Sequence, residues 1–169
     1  QDSGTWILSA QNTNTGVYEI FDGTLTFAAA NSLPTPVNVT FATTAIAADI
    51  RTVGVMVGGA GWTSSQVDGV VNASGLAYQA NSSSSFGIDT FNGNFSYGTA
   101  VTGNKGFRKL GPNTLTLTGT HTYNGGTRVR EGTLLVNGST AVAIAGRQIA
   151  NSLGIGASMI VQYDPNGLG

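Results

Sequence analysis

Residues 114–118 read Thr-Leu-Thr-Leu-Thr. In an extended strand this alternation puts both leucines on one face and the threonines on the other. The segment belongs to an internal repeat. Residues 5–27 align with residues 114–136 at a constant offset of 109, with seven of 23 positions identical: Thr5/Thr114, Leu8/Leu117, Thr13/Thr122, Gly16/Gly125, Gly23/Gly132, Thr24/Thr133 and Leu25/Leu134. Chance would give about two in so biased a composition. Asn-Ser-Leu follows each copy, at Asn31-Ser32-Leu33 and at Asn151-Ser152-Leu153, the second after an insertion that includes the Ala-rich residues 141–150. A unit this short cannot bury its own apolar face, so it must stack on its neighbours.

Each copy reads as strand, turn, strand, turn, strand. In the second, Tyr123-Asn124-Gly125-Gly126 is a turn, Thr127-Arg128-Val129-Arg130 alternates with its arginines outward, Glu131-Gly132 turns again, and Thr133-Leu134-Leu135-Val136 runs to a stop at Asn137-Gly138. In the first, Trp6, Leu8, Ile20, Leu25 and Phe27 take the inward positions. Between the copies, Val37-Asn38-Val39-Thr40-Phe41 alternates, and residues 52–57 form a strand ending in Gly58-Gly59-Ala60-Gly61. The Ser-rich residues 81–85 read as an exposed loop. Residues 86–97 place Ile88, Phe91, Phe95 and Tyr97 around a turn at Asn92-Gly93. Strands of four or five residues this closely spaced leave no room for helical crossovers. An antiparallel sandwich and a stacked solenoid remain. The regular rhythm, the single glycines at matched turns and the small aliphatic inward residues favour an all-β solenoid of about seven coils. It forms one domain over residues 1–169: a degenerate repeat at 4–33, irregular coils at 34–105, a clear repeat at 106–138 and C-terminal coils at 139–169.

Composition agrees. Charged residues are 9% of the 169, against roughly 25% in an ordinary soluble domain. The 25 glycines follow no three-residue period, which excludes collagen. Two Glu and two Lys are too few for a helical bundle with solvated faces. There is no Cys, and no run of 18 apolar residues that would span a membrane. Gln1 reads as the mature end left by signal cleavage. Net charge is −1 but unevenly spread: residues 1–100 carry −5 and residues 101–169 carry +4. In a stack of coils this becomes an axial dipole.

The clear repeat resembles a known family. Lys109-Leu110-Gly111-Pro112-Asn113-Thr114-Leu115-Thr116-Leu117, then Thr122-Tyr123-Asn124-Gly125-Gly126-Thr127, then Gly132-Thr133-Leu134, is similar to the autotransporter-associated β-strand repeat. His121 stands where that family usually has Asn, and Pro112 where it has Gly or Ala. Thr90-Phe91-Asn92-Gly93 resembles the segment that precedes the motif. The resemblance implies a right-handed parallel β-helix in an exported bacterial protein, extracellular or on the cell surface. It implies no particular activity.

Candidate chemistry is sparse. His121 is the one His and falls in a turn, so no catalytic triad can be assembled. Without Cys or clustered carboxylates, no metal or cofactor site is expected. Asp49-Ile50-Arg51 places a carboxylate and a guanidinium on one strand face, read as a surface ion pair. Trp62 and Phe21 are candidate exposed aromatics. Lys105, Arg108, Lys109, Arg128 and Arg130 would form a basic patch if their coils stack, facing the acidic Glu19 and Asp22 of another copy. Glu19 aligns with Arg128, a reversal of sign at one repeat position. With a pI near 5.6, nucleic acid is not an expected partner. The expectation is a non-enzymatic structural protein whose partner is itself, associating head to tail into a fibre through open solenoid ends. A fragment of a larger adhesin passenger is the alternative, and a β-helix that binds or acts on surface glycans a third.

Overall fold

The computed structural model describes residues 4–42, 51–78 and 84–137, together with the backbone of 158–162. Every strand pairing among them is parallel. A six-stranded sheet runs in the order β1 (Thr5–Leu8), β3 (Thr24–Phe27), β5 (Arg51–Met56), β7 (Ser84–Asp89), β10 (Gly106–Leu110) and β13 (Thr127–Val129). A four-stranded sheet stacks β8 (Phe95–Tyr97), β11 (Thr114–Leu117), β14 (Thr133–Asn137) and β15 (Ser158–Gln162). Two small sheets hold β2 (Tyr18–Ile20), β4 (Val39–Phe41) and β6 (Leu76–Ala77), and β9 (Thr102–Gly103) with β12 (Thr122–Tyr123). The chain thus visits one sheet, turns to the next, and returns to lie beside its own earlier strand. Where the coils are most regular, residues twenty apart bond to each other: the Thr114 backbone N–H donates to Asn94 Oδ1, and the Asn124 side-chain amide to Asn104 Oδ1. No hairpin occurs among the described residues, so the sandwich alternative falls away.

Register builds the core. Leu25, Val53, Phe86 and Phe107 align across the six-stranded sheet, as do Phe27, Val55, Ile88 and Val129, with Lys109 between the last two. Across the four-stranded sheet, Leu115 lies between Phe95 and Leu134, and Leu117 between Tyr97 and Val136. These ladders merge into one apolar cluster. The two repeat copies share their register: Thr5 pairs with Thr24 as Thr114 pairs with Thr133. They differ in placement. The first copy enters on the six-stranded sheet and the second on the four-stranded one.

Three expectations need correction. Trp6 is not inward and covered but 68% exposed, because β1 is the edge of its sheet and no described strand lies beyond it. Ser84 and Ser85 do not belong to an exposed loop. They open β7, in register with Arg51 and Thr52, and are buried. A helix, α1 (Ser64–Val71), also appears where strands alone were expected. Thr63 caps it by accepting the Gln66 backbone N–H, while the Gln66 side chain accepts the Thr63 N–H. Val67, Val70 and Val71 then bury one side of it in the core. The Ala-rich residues 141–150, the second Asn-Ser-Leu, Asp2, Asp49, Arg147 and Asp164 lie outside the described residues.

Candidate functional site

The residues expected to form a basic patch do not form one surface. Lys105, Arg108 and Lys109 are each under 5% exposed, and Arg128 and Arg130 alone of the five keep appreciable solvent contact. The reason lies in the corners of the coils. Lys109 points inward from β10, and its Nζ donates to the carbonyls of Leu110, Gly111 and Glu131, the last at 3.0 Å from the next coil. The lysine of the motif therefore clamps two stacked turns, and the Leu110 carbonyl it binds also accepts the Thr90 N–H of the preceding coil at 3.0 Å. Burial lowers its pKa to about 8, against an opposing pull from Asp89 and Glu131. Asp89, in the same corner, accepts the Phe91 N–H at 2.9 Å, and burial raises its pKa. Asp89 carried no signal in the sequence beyond its place before the Thr-Phe-Asn-Gly segment.

Arg108 and Arg128 do come together, in direct register on adjacent strands. Burial, then the charge of Arg130, pulls Arg128 below its usual value. Glu19 is exposed on β2, and Asp22 binds the N–H of its own neighbour Gly23 at 2.6 Å. Glu19 sits on the three-stranded sheet and Arg128 on the six-stranded one, so their equivalence in the repeat does not place them on a common face. Arg51 is buried, its Nε donating to Phe21 O at 2.9 Å. Trp62 is buried too, its indole N–H on Phe27 O at 2.9 Å, whereas Phe21 is exposed. His121 is more than a turn residue: it is 1% exposed, and its Nδ1 accepts the Val101 N–H of the preceding coil at 3.1 Å. Among the described residues no three His, Cys, Asp or Glu side chains gather as metal ligands would.

Among the described residues, no strand pairs with the outer edge of β1. Gly4 O and Leu8 O accept from β3, at Thr24 and Ala28. In a parallel ladder alternate residues serve alternate neighbours. Thr5 and Ile7 therefore turn their N–H and C=O away from β3, toward the free edge. Trp6, Ile7, Val17 and Phe21, all in this coil, are more than half exposed. The combination of an unpaired backbone and an apolar crown is what a strand-adding partner recognises.

The passenger-associated-transport-repeat profile matches residues 1–19 and 107–136. Comparison with curated proteins and with solved structures found no match. The two matched stretches hold β1 at the free edge and the strands β11 to β13 with the His121 link, so the chain carries the repeat of the autotransporter-associated family at both segments.

Proposed function

We propose that this chain is a non-catalytic structural module of an exported, surface-located passenger, a right-handed solenoid of about seven coils that associates head to tail into a fibre. Right-handedness follows from the near-universal hand of parallel crossovers. The observation that carries the fibre is the free edge of β1 beneath exposed Trp6, Ile7, Val17 and Phe21. A second copy stacking there extends the sheet and covers the apolar crown, and because the contact is heterologous it propagates. The acidic Glu19 and Asp22 lie in the same coil and favour approach of the basic half of a neighbour.

Ile7→Pro tests it. Proline at 7 deletes an N–H that faces the free edge and leaves the β1–β3 bonds in place. Light scattering and negative-stain microscopy should show filaments for the parent protein and monomers for the variant, with unchanged circular dichroism. Parent protein that stays monomeric at low salt and high concentration would overturn the fibre. The recurrence of the repeat at two segments favours a second reading, in which the edge is covered by further coils of a longer passenger. Flanking repeats in the gene, together with a monomeric parent protein, would select it.

A further inference from the structure

Lys105 differs from the other buried cations in what its amine touches. Its side chain is 4% exposed and reaches from the β9–β10 turn to the C-terminal end of α1. Nζ donates to Val71 O at 2.8 Å and to Asn72 Oδ1 at 3.1 Å, and the Tyr78 ring centroid lies 4.7 Å away. Asn72 is the residue that ends α1, 33 positions earlier in the chain. Its amide is held at both ends. Oδ1 also accepts the Thr102 backbone N–H at 3.2 Å and the Thr102 hydroxyl at 3.4 Å, while Nδ2 donates to Ala100 O at 2.9 Å.

These are the parts of an acyl transfer. The amine is the nucleophile. The two Thr102 donors sit on the oxygen that gathers negative charge when a nucleophile adds to Cγ. Cγ lies one C=O bond, about 1.2 Å, behind Oδ1, so attack requires rotation in the last methylenes of Lys105 to carry Nζ from Oδ1 to the face of the amide. Burial lowers the lysine pKa to about 8, which supplies neutral amine in mildly alkaline solution. Tyr78 shields one side of the amine from water.

We infer that Lys105 and Asn72 join in an intramolecular isopeptide bond. The Nζ lone pair attacks Cγ of Asn72, the Cγ–Nδ2 bond breaks, and one proton passes from Nζ to Nδ2. The products are a secondary amide and one ammonia, with no change of oxidation state and no co-reactant. The bond ties the end of α1 to the β9–β10 turn and so cross-links two coils covalently.

Intact mass under denaturing conditions decides the matter, after the folded protein has been held at pH 9. The expected protein is lighter than its sequence by one ammonia, and a protease digest yields a branched peptide carrying both Asn72 and Lys105. Lys105→Met should keep its full sequence mass. Thr102→Val, which loses the hydroxyl donor, should form the bond at least about tenfold more slowly. Full sequence mass in the parent protein after prolonged incubation, with Asn72 and Lys105 in separate peptides, overturns the inference. Conversion of Asn72 to Asp without a link overturns it equally.

Discussion

A buried imidazole that must accept a hydrogen bond cannot also carry a proton on the same nitrogen. His121 Nδ1 takes the Val101 N–H, and burial holds the group at a pKa of about 4, below the ordinary value near 6.5. The folded chain refuses a proton that the unfolded chain accepts, so stability is full above pH 6.5 and drains as pH falls toward 4. At about 1.4 kcal/mol per pH unit the loss approaches 3 kcal/mol. His121→Asn keeps an acceptor for Val101 and has nothing to titrate. Urea denaturation at pH 7 and pH 4 should show its acid loss reduced relative to the parent. Glycines are equally position-bound. A Cβ on Gly119 would stand 1.9 Å from Gly98 O in the turn below, whereas one on Gly69, within α1, meets nothing within 4 Å. Gly119→Ala should therefore cost about 3 kcal/mol. Gly69→Ala should gain about 0.5–1 kcal/mol. Thermal melts of the two variants, moving in opposite directions, check the pair.

At the level of elements, α1 depends on its cap. Thr63→Ala removes the acceptor for Gln66 N–H and should destabilise by about 1 kcal/mol, measurable as faster amide exchange through residues 64–71. Lys109→Met is the harsher change, since three carbonyls lose one ammonium. A loss of about 3 kcal/mol in denaturant midpoint analysis is expected. These elements also show what the sequence could tell. Strict alternation in residues 114–118, and the turn glycines after it, made the parallel coils legible, because burial on one face of a strand writes itself at period two. The helix was legible in principle, through Thr63 and Gln66 followed by Val67, Val70 and Val71, but sparse Glu and Lys argued against a helical bundle and drew the reading to strands. The lysines misled for another reason. A charged residue is read as surface by default, and only the stacked turns reveal the carbonyls that receive Lys105 and Lys109. Trp6 misled in the opposite sense: its strand pattern is sound, but what covers an inward residue depends on the neighbouring coil.

For the whole molecule, the proposed fibre makes salt a test, because the uneven charge of the two halves of the sequence would steer how copies meet. Raising salt should slow filament growth, because screening shortens the reach of the acidic and basic halves. It should leave grown filaments intact, because backbone pairing and apolar contact hold them. Stopped-flow light scattering over a salt series measures the first, and dilution of preformed filaments into salt the second. The parallel stacking has a mechanical consequence as well. Strands that lie across the stacking direction are loaded end-on when the chain is pulled along it, so ladder bonds part a few at a time, as in a zipper, and not all together in shear. Tension would unspool the protein from a free edge one coil at a time, each of the regular coils of about 20 residues releasing roughly 65–70 Å of chain and the longer coils more, which makes the stack a shock absorber sooner than a rigid rod.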